Sequence, residues 1–313
     1  MTWFKNLTPY LFTESCDDLI ERLESSLLDA ELGECPATEA FIEGWVSPLG
    51  SDVALDNLVY TGSEFALIAL GREERILPSS VINDYADELR VKIELDESRT
   101  VGAKERRELK ERATFELLPR AFKRRKFTRA LAWPSAKMFW VDTASVKSAD
   151  DLTAMLRKTA GALPLVPMTG DRDPMHVFTA WMAGEAPLPE GFELSNNAVL
   201  EDPRDGSTVR LTNQELDADE VLNHLKSGKL TKQVGMVWQD RIHFTLDQNL
   251  ALKSIKYADS IQEQVDNESG GDRMAEVDAT LALMTAELQP MLMALESALT
   301  TKMDSDVDAP TDA

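Results

Sequence analysis

The segment Leu117-Leu118-Pro119-Arg120-Ala121-Phe122-Lys123-Arg124-Arg125-Lys126 decides how the rest of the chain is read. It lies inside Arg99–Arg129, which gathers twelve cations: Arg99, Lys104, Arg106, Arg107, Lys110, Arg112, Arg120, Lys123, Arg124, Arg125, Lys126 and Arg129. Four acids interrupt them, Glu105, Glu108, Glu111 and Glu116, leaving about +8 on this stretch of a 313-residue chain whose net charge is −22. Everything outside it therefore sums to −30. Positive charge concentrated at one place in an acidic protein builds a local field for an anion, and duplex phosphate is the commonest polyanion such a stripe meets.

Two parts of the segment read differently. Lys104–Arg112 alternates charge along a helix, a pattern that serves equally as a solvated face or as an anion surface. In Arg120–Arg129 six cations stand with no acid among them and alternate with Phe122 and Phe127, so self-repulsion would oppose folding unless an anionic partner is met. Pro119 ends the helix and aims this run outward. Phe122 is either a satellite core residue or an apolar contact with another subunit or with DNA. No recognition helix, zinc finger or RNA-recognition motif accompanies the charge, so phosphate contact with little base readout is expected.

Outward from this segment the chain alternates helical and strand patterns. Trp3–Phe12 reads as an opening strand, followed by a helix bearing Leu19, Leu23 and Leu27 that ends near Gly33. Gly44–Val46 and the apolar run Phe65–Leu70 read as strands. Ser79–Leu118 reads as two helices broken at Asp96–Gly102, the second with a narrow apolar stripe (Leu109, Ala113, Leu117) that suits a projecting element. Strands are expected at Lys137–Val141, Thr208–Leu211, Leu230–Gln239, Arg241–Leu246 and Leu250–Lys256, with a hairpin turn at Asp247–Asn249. Helices are expected at Ala149–Lys158 and Ala218–Lys226, a loop at Asp171–Pro174, and a boundary at Gly184–Gly191. Met274, Val277, Leu281, Met284, Leu288, Met291, Leu295 and Ala298 step by three and four along a final helix, which Pro290 would kink, packed on its own domain or on a partner subunit. The fold class is mixed α+β.

Cys16 and Cys35 lack metal or redox spacing and fit a reducing compartment. The amino terminus lacks a secretory pattern, and no apolar run approaches a membrane span, so a soluble cytoplasmic protein is expected. The chain contains no phosphate-binding glycine loop, dinucleotide fingerprint, nucleophile elbow or zinc-protease motif. Its three histidines are scattered. Asp171 and Asp173 have the spacing of a carboxylate pair for Mg²⁺, although Asp-Arg-Asp-Pro is more often a turn. No enzyme, cofactor or metal is therefore expected.

Short blocks spread along the chain resemble the recombination-associated protein RdgC family: Trp3–Leu7, Gly44–Val46 with Pro48 and Gly50-Ser51, Ile76–Ser79, and, most specific, Leu117–Phe122. Val141-Asp142 with Ala144-Ser145, Leu156–Lys158, and Leu163-Pro164 with Val166-Pro167 continue the series. Asn223-His224 with Gly228-Lys229, Trp238-Gln239 with Arg241-Ile242 and Phe244, Leu252-Lys253 with Ile255-Lys256, and Leu283–Thr285 with Glu287-Leu288 complete it.

The resemblance implies an elongated, horseshoe-like monomer. Its parts would be a central region (1–75 and 135–183), a helical basic tip (76–134), a base with the C-terminal helix (184–303) and a disordered acidic tail (304–313). Two copies would close into a homodimeric ring around double-stranded DNA, bound without sequence preference in the nucleoid, and would restrain RecA by competing for DNA. Phe122 matches the apolar tip contact that closes the ring. Arg99, Arg106, Lys110 and Arg120 match basic tip positions, and Asn213-Gln214 falls on a pair that faces DNA, with Asn213 lacking the family's charge. Together with the cation run, the expected DNA contacts are Arg99, Lys104, Arg106, Arg107, Lys110, Arg120, Lys123, Arg124, Arg125, Lys126, Arg129 and Gln214. The alternative is an adaptor whose basic arm docks an acidic protein.

Overall fold

A computed structural model of the chain describes residues 3–50, 57–62 and 64–300; the acidic tail expected at 304–313 lies outside them. In chain order the elements are β1 (Thr8–Phe12), α1 (Leu19–Ser26), β2 (Phe41–Val46), β3 (Val59–Thr61), β4 (Ala66–Ile76), α2 (Ser79–Glu97), α3 (Ala103–Leu117), β5 (Phe122–Trp133), β6 (Met138–Val141), α4 (Val146–Ala160), β7 (Leu165–Pro167), α5 (Pro174–Met182), β8 (Phe192–Glu201), β9 (Thr208–Thr212), α6 (Asp219–Lys226), β10 (Leu230–Trp238), β11 (Ile242–Asp247), β12 (Leu252–Tyr257), α7 (Asp259–Ser269) and α8 (Arg273–Leu299). They form two antiparallel sheets. One runs β2-β4-β5-β6-β1-β7 with β3 also beside β4; the other runs β12-β11-β10-β8-β9. The fold is mixed α+β.

The first sheet is buried on both faces, and the side-chain alternation of its strands sorts two cores. Ala66, Ile68, Leu70, Ala130, Ala132, Phe139 and Val141 face α1 and α4. Leu67, Leu131, Met138 and Trp140 face the opposite way, into a larger core shared with the second sheet, α5, α7 and α8. The second sheet gives that core only one face, through residues such as Ala198, Leu200, Val234, Met236, Phe244 and Leu246. Its other face is polar. The sheets meet where Leu7 and Leu252 exchange backbone hydrogen bonds of 2.9 and 2.8 Å.

Several expected elements shift. The opening strand is only Thr8–Phe12, because Trp3 and Phe4 leave the ladder to plug the larger core: Trp3 packs on Tyr257 at 4.4 Å, and the Phe4 N–H donates to Met284 Sδ at 3.4 Å. The first helix stops at Ser26 and tightens into a 3₁₀ turn over Leu27–Ala30. β4 runs six residues past the Leu70 limit suggested by hydropathy, to Ile76. Five elements escape the sequence reading: β3, β5, α5, β8 and α7. In α5 the expected loop ends at Asp173, whose carboxylate caps the helix by accepting from the Met175 N–H at 2.8 Å. β8 is broken in pattern by Ser195-Asn196-Asn197, and α7 carries little apolar periodicity. The last helix continues through Pro290 to Leu299, and its Val277–Leu295 seam is buried on this chain's own core.

The break at Asp96–Gly102 is real, and α2 and α3 fold back on each other around a third, small cluster. Ala86, Val101, Leu109 and Ala113 are its buried members, with Ile82, Tyr85, Leu89 and Ile93 packed at its margin. Tyr85 also donates to Glu116 at 2.7 Å. So few buried side chains make this hairpin the least supported unit of the fold. Leu109→Ala should cost about 2–5 kcal/mol locally. Hydrogen exchange should then accelerate across residues 79–117 while the two sheets keep their protection; uniform acceleration would show that the hairpin has no independent stability.

Candidate nucleic-acid interface

β4 and β5 are paired without interruption from Ala66↔Ala132 to Ile76↔Phe122. Their inner halves are core strands. Their outer halves, Gly71–Ile76 and Phe122–Phe127, form a ribbon that β2 flanks on the β4 side as far as Phe41↔Glu74 and that carries the α2–α3 hairpin at its end. The run from Arg120 is therefore not an irregular arm aimed outward after Pro119. Pro119 sits in a 3₁₀ turn over Leu118–Arg120, and the next residue but one begins a strand.

Pairing also supplies the acids that the local sequence lacks. Glu73 lies opposite Arg125 and Glu74 opposite Arg124. Glu73 Oε2 accepts from Arg125 Nε at 2.5 Å, and its Oε1 pairs with Lys123 at 3.2 Å and accepts from the Cys35 N–H at 2.9 Å. Glu74 pairs with Arg124 and, at 3.2 Å, with Lys126. Two carboxylates thus hold four cations, one pair on each face of the ribbon. With Arg72 and Arg75 also present, six cations still outnumber three acids, Glu73, Glu74 and the Glu43 of β2 that pairs with Arg72 at 2.9 Å. The four run cations remain between 37 and 61% exposed, so each has a tethered base and a solvent-facing flank.

The remaining expected contacts separate by environment. Arg129 faces inward: it is 13% exposed, bound to Asp142 at 2.9 Å, and placed 5.7 Å from the Phe4 ring, a structural ion pair rather than a surface cation. Arg99 is clamped by Glu105 at 2.6 and 2.7 Å and by Glu97 at 2.6 Å. On the outer side of α3, Lys104 and Arg107 are almost wholly exposed and loosely paired to Glu108 (3.8 Å) and Glu111 (3.4 Å); surface pairs of this kind are worth little. Arg112 pairs with Glu116 at 2.7 Å. Among the described residues, Arg106, Lys110 and Arg120 hold no ion pair, and all three are exposed. Arg106 donates to the Val101 carbonyl at 3.2 Å.

Phe122 is 84% exposed, with Ile76 (42%) opposite it and Phe127 (55%) further along the ribbon. An aromatic so exposed has no folding role on this chain. Asn213 and Gln214 lie elsewhere, at the end of β9. Asn213 is left-handed (φ 51°), a conformation that Asn tolerates better than a long cation, and this supplies a backbone reason for the uncharged residue. The Gln214 side chain donates to Glu220.

Glu73 and Glu74 are the residues missed from the sequence. Their signal was the mirror match of Glu73-Glu74 to Arg124-Arg125 across a helical hairpin, visible only if the strand is allowed to cross its charged half. Asp173 serves as the cap of α5, and among the described residues no three His, Cys, Asp or Glu side chains come together to hold an ion.

The Cys35 N–H, then Arg125 and Lys123, hold the Glu73 carboxyl at about 2, well below its ordinary 4.5. The native state therefore binds fewer protons than the unfolded chain between these values. The stability this group contributes is complete above pH 4.5 and is lost as pH falls toward 2. Glu73→Gln should lower stability at neutral pH and flatten the acid limb of a denaturation–pH profile; an unchanged limb would remove Glu73 as the anchor of the ribbon.

The chain matches the family model described as "Putative exonuclease, RdgC" over residues 2–302. It is 35% identical over 297 residues to the recombination-associated protein RdgC of Pseudomonas fluorescens strain Pf0-1, covering 95% of this chain and 97% of that protein. The corresponding protein of Aeromonas hydrophila is 36% identical over 298 residues, with the same coverages. That of Pseudomonas aeruginosa strain PAO1 is 35% identical over 297 residues.

Proposed function

Because the chain belongs to the RdgC family, we propose that it is a recombination-associated protein that binds double-stranded DNA without sequence preference. In this reading it acts as a homodimeric ring and restrains RecA by occupying the DNA. The observation that carries the proposal is the tip: a cation-rich ribbon and helix standing on an otherwise acidic chain, ending in an exposed phenylalanine. An acidic exterior repels duplex DNA, so capture is confined to the surface where the cations are gathered. Arg106, Lys110 and Arg120 contact phosphate directly. Lys123–Lys126 contribute their solvent-facing flanks while Glu73 and Glu74 fix their positions. No recognition-helix, zinc-finger or RNA-recognition signature accompanies these cations, so in this reading affinity comes from phosphate contact and counterion release. Phe122 closes the ring against a second copy.

The reading is non-catalytic, although the family description carries the word exonuclease. Incubation of duplex DNA with the protein and Mg²⁺ or Mn²⁺ decides between them: intact DNA is expected, and metal-dependent degradation would replace this proposal with a nuclease.

If about six phosphates are neutralised, log K should fall against log[salt] with a slope near −5 for random-sequence duplex. Arg106→Ala, Lys110→Ala and Arg120→Ala combined should make that slope shallower by about 3, equally for unrelated sequences. A loss confined to some sequences would count against backbone recognition. No binding by the wild-type protein at low salt would instead assign the tip to an acidic protein partner.

Phe122→Ala should leave thermal stability unchanged and shorten retention on closed circular DNA, with little effect on initial binding to linear duplex. Retention on closed circular DNA equal to that of the wild type would remove Phe122 from ring closure.

A further inference from the structure

The two faces of α2 differ. Ile82, Tyr85, Ala86, Leu89 and Ile93 belong to the small cluster shared with α3. On the side away from α3, Val81, Asp84, Glu88, Val91 and Leu95 step by three and four along one stripe, the spacing by which one helix offers a seam to another. Its three apolar members keep much of their surface in water: Val81 is 44% exposed, Val91 45% and Leu95 75%. Asp84, Glu88, Val91 and Leu95 line a shallow trough along the helix. An apolar stripe left open on a small, projecting unit marks a contact surface rather than a folding element.

The charge on this face is opposite in sign to the cation run. Over Ser79–Glu97 six acids stand against two cations. One of those cations, Arg90, is held by Asp87 at 3.1 Å and Glu94 at 2.9 Å. Asp84, Glu88 and Asp96 are exposed and hold no ion pair among the described residues. Asp84 and Glu88 lie inside the stripe, between its apolar members, where a wholly apolar partner would strip them of water without replacing it. Whatever covers Val81, Val91 and Leu95 must therefore bring cations to the middle of its own stripe. Duplex DNA is excluded by the sign of the field. So are the stretches 51–56 and 304–313 of this chain, which hold aspartates and no Lys or Arg. The α3 helix of a second copy is a poor complement, because four glutamates are interspersed among its five cations.

We propose that the outer face of α2 docks a basic amphipathic helix of a different protein, its apolar residues seated on Val81, Val91 and Leu95 and its Lys or Arg side chains paired to Asp84 and Glu88. From Val81 to Leu95 the stripe runs about 21 Å, which seats a helix of about 15 residues laid alongside. The apolar contacts supply affinity, and the two carboxylates select the sign of the partner and fix its register. This role is additional to DNA binding and does not depend on it. The cations assigned to phosphate stand on α3 and the ribbon, so the hairpin presents a nucleic-acid surface and a protein surface on different elements. Because the hairpin is held by few buried side chains, a docked helix also orders it.

The probe is a labelled synthetic peptide of about three heptads with Leu at the a and d positions and Lys at e and g. It is titrated against the full chain by fluorescence anisotropy, without DNA. Two controls accompany it: the same peptide with Glu in place of Lys, and a peptide of identical composition whose Leu spacing is scrambled. The Leu/Lys helix should bind about tenfold or more tightly than either control and should slow hydrogen exchange across residues 79–97. Val91→Gln/Leu95→Gln replaces exposed residues with one that suits a helix, so thermal stability and duplex binding should be unchanged while peptide affinity falls about tenfold or more. Asp84→Asn/Glu88→Gln should make peptide binding less sensitive to salt. Equal binding of the scrambled peptide, or unchanged affinity in the Val91/Leu95 variant, would overturn the docking face. Equal binding of the Glu peptide would overturn its assignment to a basic partner. Concentration-dependent self-association of the wild type that Val91→Gln/Leu95→Gln abolishes would give the face to a second copy instead. Loss of duplex binding in that variant would give it to DNA and overturn the proposal.

Discussion

The eleven-residue pairing of β4 with β5 is the interaction on which the rest of the molecule depends. Its inner half supplies Leu67 and Leu131 to one core and Ala66, Ile68, Ala130 and Ala132 to the other. Its outer half leaves the two main cores and persists as a ribbon, flanked by β2 as far as Glu74, because the strands are already in register. Register is strongly specified wherever alternate residues are buried on both faces, since a one-residue slip would exchange the two cores. That precision is transmitted along the ladder, so Glu73 and Glu74 meet Arg125 and Arg124 without needing to find them. The buried half of the strand pair thus positions the charged half.

This arrangement answers the electrostatic difficulty that the cation run poses. Four adjacent cations on an isolated strand would repel one another. Two carboxylates, one on each face, hold them, and the buried Glu73 is itself anchored by the Cys35 N–H. The pairing lowers the cost of gathering the charge without cancelling it, because cations remain in excess and each keeps an exposed flank. Arg129, deeper along the same strand, shows the limit: where the ladder enters the core, the cation is matched one to one by Asp142 and turned away from solvent.

How much of this was legible in the sequence follows from which forces are local. Helical periodicity located α2, α3 and α8, because each carries its own apolar face. Alternation located β10–β12, and Asp247 marked their turn, where its carboxylate accepts the Asn249 and Ala251 N–H groups. The outer half of β4 was not legible, because Arg72-Glu73-Glu74-Arg75 is a strand only in the presence of a partner fifty residues away. β8 was hidden for the opposite reason: Ser195-Asn196-Asn197 belongs to a polar surface and interrupts the pattern that reveals a strand. The cation cluster itself was plain, but which of its members are clamped, as Arg99 is, and which are open, as Arg120 is, depends on contacts that composition does not encode.

The tip and the outer face of the second sheet share one device, a β-structure with one side supported and the other freed from packing. One is a ribbon prolonged at the margin of its sheet; the other is the outer face of a sheet that buries only one side. Concentrating cations on such supports lets the chain remain strongly acidic elsewhere, which opposes adventitious contact with nucleic acid over most of its surface. The supports differ in stiffness. The outer face of the second sheet rests on five strands backed by the larger core, whereas the helical hairpin rests on the end of the β4–β5 pair, beyond the reach of β2, and on a four-residue buried cluster. The distribution of buried apolar side chains therefore makes the α2–α3 hairpin the more readily opened unit and the second sheet the stiffer one.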